Sequence, residues 1–125
     1  SIDEELNIEK MKVGAKLFEG EHNFRRYCAK PNPESNFIRK IDLCEIEINK
    51  EYQANFFPET TYFLRIRSTG FMRYQVRLMI GQLLSLGKGE TSIDDLKETL
   101  SGNSDIPVRY IAPSSGLILN RVEFD

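Results

Sequence analysis

With 125 residues, 40% of them apolar and 29% charged, the chain has the length of one domain and enough apolar content to close a core, which excludes a disordered polymer. No run reaches the roughly 20 apolar residues of a membrane-spanning helix, and residues 1–5 (SIDEE) are acidic where a secretory leader is basic, so the chain reads as soluble and cytoplasmic with no membrane partner. Cys28, Cys44 and the single His22 make neither a disulfide framework nor a zinc site, and both thiols read as reduced.

In chain order, Ile8, Met11, Ala15 and Phe18 recur at helical spacing, so the pattern predicts a helix from Asp3 to Phe18, capped by Asp3 and stopped by Gly20. Residues 21–37 hold Pro31 and Pro33 and read as loop. Within it, Phe24 and Tyr27 are read as core anchors rather than base-stacking platforms, and His22 as a polar loop or capping residue. Over residues 41–48, Cys44, Ile46 and Ile48 alternate with Glu45 and Glu47, the pattern of a half-buried strand, with Cys44 packed in the core. A polar connection containing Pro58 leads to a second strand over residues 61–67, which pairs antiparallel with the first.

After Gly70, the residues Met72, Val76, Met79, Leu83 and Leu86 follow a 3.6 period to Gly87, predicting a central helix. A shorter helix follows, with Thr91 or Ser92 as cap, Asp94 and Asp95 in its first turn, and Ile93, Leu96 and Leu100 facing inward. Strand formers over residues 116–124 add a last strand. The order helix, two strands, two helices, strand predicts an α+β fold, an antiparallel sheet packed against helices in one domain over residues 1–125.

The net charge of −2 conceals an uneven distribution. Residues 60–89 contain Arg65, Arg67, Arg73, Arg77 and Lys88 with no Asp or Glu, a +5 segment. Arg73 and Arg77 fall at i, i+4 in the first two turns of the expected central helix, where the helix dipole disfavours cations. Two readings stay open. Either they are solvated arginines on an exposed face, or an anion, a phosphate backbone or a buried carboxylate, takes up both guanidinium forks, with Gly81 leaving room on the same face. Arg65 and Arg67, on the alternate face of the preceding strand, would extend that surface. No nucleophile elbow, P-loop, dinucleotide fingerprint or zinc-protease motif is present, and none of the six aspartates has a catalytic setting.

Three blocks together resemble the C-terminal half of the tRNA pseudouridine synthase A family. Residues 20–27, GEHNFRRY, resemble G-x-H-D-F-x-x-F with Asn23 in place of aspartate. Residues 70–81, GFMRYQVRLMIG, followed by GKG at 87–89, resemble F-L-x-H-M-V-R-x-I-V-G with a later V-G-x-G, Gln75 standing for methionine. Residues 112–119, APSSGLIL, resemble A-P-A-x-G-L-x-L, and Val122 and Phe124 fall where the family has V-x-Y. Arg39 matches the arginine that opens the family's strand after its basic loop.

The resemblance implies a cofactor-free and metal-free isomerisation in which an aspartate attacks a uridine that has left the stack, the base detaches, rotates and rejoins through carbon. It implies that Arg77 is the active-site arginine that pairs with the catalytic aspartate, and that Leu117 lines the uracil pocket. The aspartate's R-T-D-x-G context and the pocket tyrosine belong to the family's N-terminal half and do not occur here. With Ser1 where a methionine would stand, the expectation is an excised C-terminal piece, silent alone, of an active parent. The expected partners are tRNA, at uridines of the anticodon stem-loop, the missing half carrying the aspartate, and a second copy in a homodimer of the full-length protein. RNA contacts are expected from Arg73, Arg65, Arg67, Lys88, Arg25 and Arg26. The alternatives are a non-catalytic RNA-binding module using the same arginines and a small domain whose basic face meets an acidic protein.

Overall fold

The computed structural model describes residues 6–29, 31–32, 34–49, 61–72, 74–109 and 118–124. Helix α1 (Ile8–Leu17) leads into strand β1 (Gly20–Asn23), a 3-10 turn (Arg25–Tyr27), strands β2 (Ile38–Asn49) and β3 (Thr61–Ser68), helices α2 (Gln75–Gly87) and α3 (Ile93–Glu98), and strand β4 (Ile118–Phe124). The architecture is α+β, a four-stranded sheet in the order β1-β2-β3-β4 with helices packed on it.

The first three strands are antiparallel, with Gly20 opposite Ile41 and Glu45 opposite Arg65. The fourth departs from the all-antiparallel expectation. It runs parallel to β3, pairing Tyr62 with Ile118 and Ser68 with Phe124. The physical reason lies in the connection: α2 and α3 intervene between β3 and β4, long enough to carry the chain back to the end from which β3 starts. Strand β1 also falls where a loop was expected, and it forms by pairing with the first residues of β2 rather than from its own composition. Beyond its end the Glu19 carboxylate accepts the Cys44 N–H at 2.8 Å and the Lys16 ammonium at 3.0 Å, covering the next stretch of the β2 edge.

Helix α1 begins at Ile8, capped by Asn7, whose side chain accepts the Lys10 N–H, while the expected cap Asp3 lies outside the described residues. At α3 the cap is Ser92, in a reciprocal box with Asp95. The polar connection holding Pro58 lies outside the described residues.

The core joins Met11 and Ala15 of α1, with Phe18 capping its end, to Ile41, Cys44, Ile46, Leu64 and Ile66 of the sheet and to Met79, Leu83 and Leu86 of α2. From Leu78 to Gly87 every residue of α2 is buried, so this helix lies inside the domain rather than along one side of it. Two glycines allow α1 and α2 to approach. A Cβ on Gly14 would stand 2.5 Å from Leu86 Cδ2, and one on Gly87 would stand 2.5 Å from Met11 Sδ and 2.8 Å from its Cγ. Gly87 therefore serves packing more than helix termination. Gly87→Ala is expected to destabilise the fold by about 1–3 kcal/mol through overpacking, outweighing the helix gain of up to about 1 kcal/mol. Thermal denaturation checks this, and an unchanged or higher midpoint would contradict the tight crossing.

Burial pushes the Cys44 thiol above its ordinary value of 9.0, with the Glu19 charge adding to it, and pushes the Tyr27 phenol above its ordinary 10.0 against the opposing Thr99 hydrogen bond. The folded chain thus holds two protons that the unfolded chain releases at alkaline pH. Stability is full below about pH 9 and falls as pH rises past it. Urea midpoints at about pH 8 and about pH 10.5 should differ more for the native sequence than for Tyr27→Phe or Cys44→Ala, and an equal loss in all three would contradict the assignment.

Candidate active site

The chain enters α2 through a tight turn. Gln75 N donates to Met72 O at 3.0 Å, and the fully buried Gln75 side chain accepts the Met72 N–H through Oε1 at 2.9 Å. Tyr74, between them, has φ 63° and ψ 8° and makes no side-chain cap bond. The helix begins at Gln75, and the expected i, i+4 pairing of Arg73 with Arg77 falls partly outside the described residues. Arg73 itself lies outside the described residues, as do Leu117 and the motif segment 112–117.

Arg77 is the third residue of α2 and is exposed. Its guanidinium carbon stands 5.3 Å from the centre of the Tyr74 ring. Arg77, Tyr74, Leu78 and Ala29 line a cavity of about 220 Å³, where the segment after the 3-10 turn passes the start of α2. The first turn of α2 holds no acidic residue, and none of the ion pairs among the described residues includes Arg77. A cation there stands at the positive end of the helix dipole, an arrangement that an incoming anion would relieve. Gly81, one turn further, is buried and not part of an open face.

The other predicted cations are spread over separate elements. Arg65 reaches Glu45 and Glu47 at 3.7 Å each, across the β2–β3 pairing, and Arg67 shares that outer sheet face, half-buried. Arg25 pairs with Asp105 and lies 5.5 Å from the centre of the Phe37 ring, while its Nε is buried with no hydrogen-bond partner among the described residues. Arg26 donates through Nε to Ile106 O at 2.9 Å, and its own carbonyl accepts the Val108 N–H at 2.8 Å. Arg25 and Arg26 thereby tie the segment after α3 to the 3-10 turn. Lys88 caps the C-terminal end of α2, where a cation suits the dipole, roughly 16 Å along the axis from Arg77.

Phe24 and Tyr27 are fully buried, as core anchors should be and as base-stacking platforms cannot be. His22 Nε2 donates to Glu19 O at 2.7 Å, which places the ring at the turn entering β1. Asn23, standing where the motif has aspartate, still accepts the Arg25 N–H through Oδ1 at 3.0 Å. Sequence reasoning missed Tyr74 and Ala29 as cavity residues. Ala29 carries no signal of its own, and Tyr74 sat inside what the apolar period presented as helix.

Residues 15–125 match the family profile described as tRNA pseudouridine synthase. Over 121 residues the chain is 30% identical to tRNA pseudouridine synthase A of Onion yellows phytoplasma, covering 95% of this chain and 45% of that protein. It is 31% identical to the Listeria monocytogenes protein of the same name over 124 residues, 97% of this chain and 46% of that one. It is 33% identical to the Aquifex aeolicus protein of that name over 121 residues, 97% and 45%. The chain thus spans somewhat less than half the length of these curated relatives. A match over nearly the whole chain means that the chain belongs to the tRNA pseudouridine synthase family.

Proposed function

We propose that this chain is the C-terminal half of an enzyme that isomerises uridine to pseudouridine in the anticodon stem-loop of tRNA, and that it supplies Arg77 to a catalytic aspartate carried by the preceding half. The observation that carries the reading is the exposed guanidinium at the rim of a cavity, at a helix start, with no carboxylate partner among the described residues. A guanidinium fork aimed at a carboxylate holds that acid ionised, by lowering its pKa, and holds it oriented for attack. Leu117 would face the uracil within the same pocket, and the assembled enzyme would act as a homodimer with no cofactor.

For RNA contact, Arg73, Arg67 and Lys88 are the proposed phosphate ligands. Arg65, Arg25 and Arg26 are proposed beside them, and these three also engage carboxylates or carbonyls of the chain itself. Conversion of uridine in an anticodon stem-loop RNA, measured with this chain alone and with the preceding half joined to it, tests the proposal. The expected result is no conversion by the chain alone and conversion by the joined polypeptide. Conversion by the chain alone would overturn the division of labour. RNA binding that falls steeply with salt, with no conversion in either form, would point instead to a non-catalytic RNA-binding module.

A further inference from the structure

Among the described residues, Tyr74 is the one non-glycine residue with positive φ. A tyrosine held in the left-handed region is strained relative to ordinary backbone, and such strain persists only where the surrounding structure imposes it. The side chain caps nothing at the start of α2, and with 42% of its surface exposed the residue is not there for burial. What the conformation does achieve is geometric. The turn from Met72 to Gln75 closes through two hydrogen bonds, Leu78 N donates to Tyr74 O at 3.0 Å, and the ring comes under the Arg77 guanidinium at 5.3 Å.

Without that ring, Arg77 would have little to hold it. The dipole at the helix start repels a cation, and a long exposed side chain samples many rotamers. The face of a tyrosine attracts a guanidinium and biases it toward one place. Both side chains line the same cavity. We infer that Tyr74 is a positioning residue, whose left-handed backbone and ring hold the Arg77 guanidinium over the cavity before its acidic partner is engaged. The inference rests on the reading of Arg77 given above, but its first test does not.

That test uses the 125-residue chain and the Arg77 Nε–Hε resonance. Three variants separate ring from backbone: Tyr74→Phe keeps the ring, Tyr74→Asn suits positive φ without a ring, and Tyr74→Gly removes the backbone strain altogether. In the native chain and in Tyr74→Phe, Arg77 should show a ring-current shift and an order parameter above about 0.6. In Tyr74→Asn and Tyr74→Gly both signatures should be lost, while thermal stability stays equal or rises. Equal order of Arg77 in all four chains, or its loss in Tyr74→Phe, would overturn the inference. In the joined polypeptide, Tyr74→Asn should lower kcat with KM unchanged, and Tyr74→Phe should restore it. Loss of Arg77 order alongside full turnover by Arg77→Lys would leave Tyr74 as the positioning residue and remove the catalytic reading of Arg77.

Discussion

Replacing Arg77 by lysine is expected to lower kcat of the joined polypeptide about a hundredfold or more, with KM and the thermal midpoint nearly unchanged. Lysine keeps the charge but loses the planar fork, so the carboxylate would be attracted without being held in one orientation. Stability should be insensitive because the side chain is exposed and takes part in no ion pair among the described residues. Steady-state kinetics on a uridine-containing stem-loop check the split. Near-native kcat in Arg77→Lys would mean that bidentate orientation of the acid is not what the residue supplies.

A second large effect is expected at Phe24, where alanine should destabilise the fold by about 3–5 kcal/mol and lower the thermal midpoint on the order of 10 °C. The ring is fully buried among Phe18, Tyr27 and His22, at centroid distances of 6.4, 5.8 and 5.9 Å, and the residue's N–H donates to Phe37 O at 2.9 Å. Tyr27 in turn bonds Thr99 Oγ1 at 2.7 Å, so this aromatic cluster joins the 3-10 turn to the end of α3. Ala29, two residues beyond Tyr27, lines the cavity, so collapse of the cluster should disturb the site as well as the core. Calorimetry on Phe24→Ala and Phe24→Leu checks the magnitude. A loss under about 1 kcal/mol in the alanine variant would contradict the buried-anchor role.

What the sequence made legible follows from which forces are local. Alternation of Cys44 and Ile46 with glutamates marked β2, and the recurrence of Met79, Leu83 and Leu86 marked α2, because burial imposes those periods directly on the residues. Strand β1 was invisible because GEHN has no strand preference and is held by its neighbour. The direction of β4 depends on how the helices carry the chain back, which no window of sequence encodes. At the site, Arg77 was legible through its motif, but the left-handed residue before the helix was not, since Met72 and Val76 keep the apolar spacing straight through the turn. Arg25 and Arg26 looked like free cations because their partners, Asp105 and Ile106, lie about 80 positions downstream.

In a crystal structure of this chain joined to its preceding half, a nitrogen of the Arg77 guanidinium should lie about 2.7–3.0 Å from a carboxylate oxygen of an aspartate supplied by that half, beside the cavity lined by Tyr74 and Leu78. An Arg77 standing in bulk solvent, with that aspartate paired to another cation, would contradict the account.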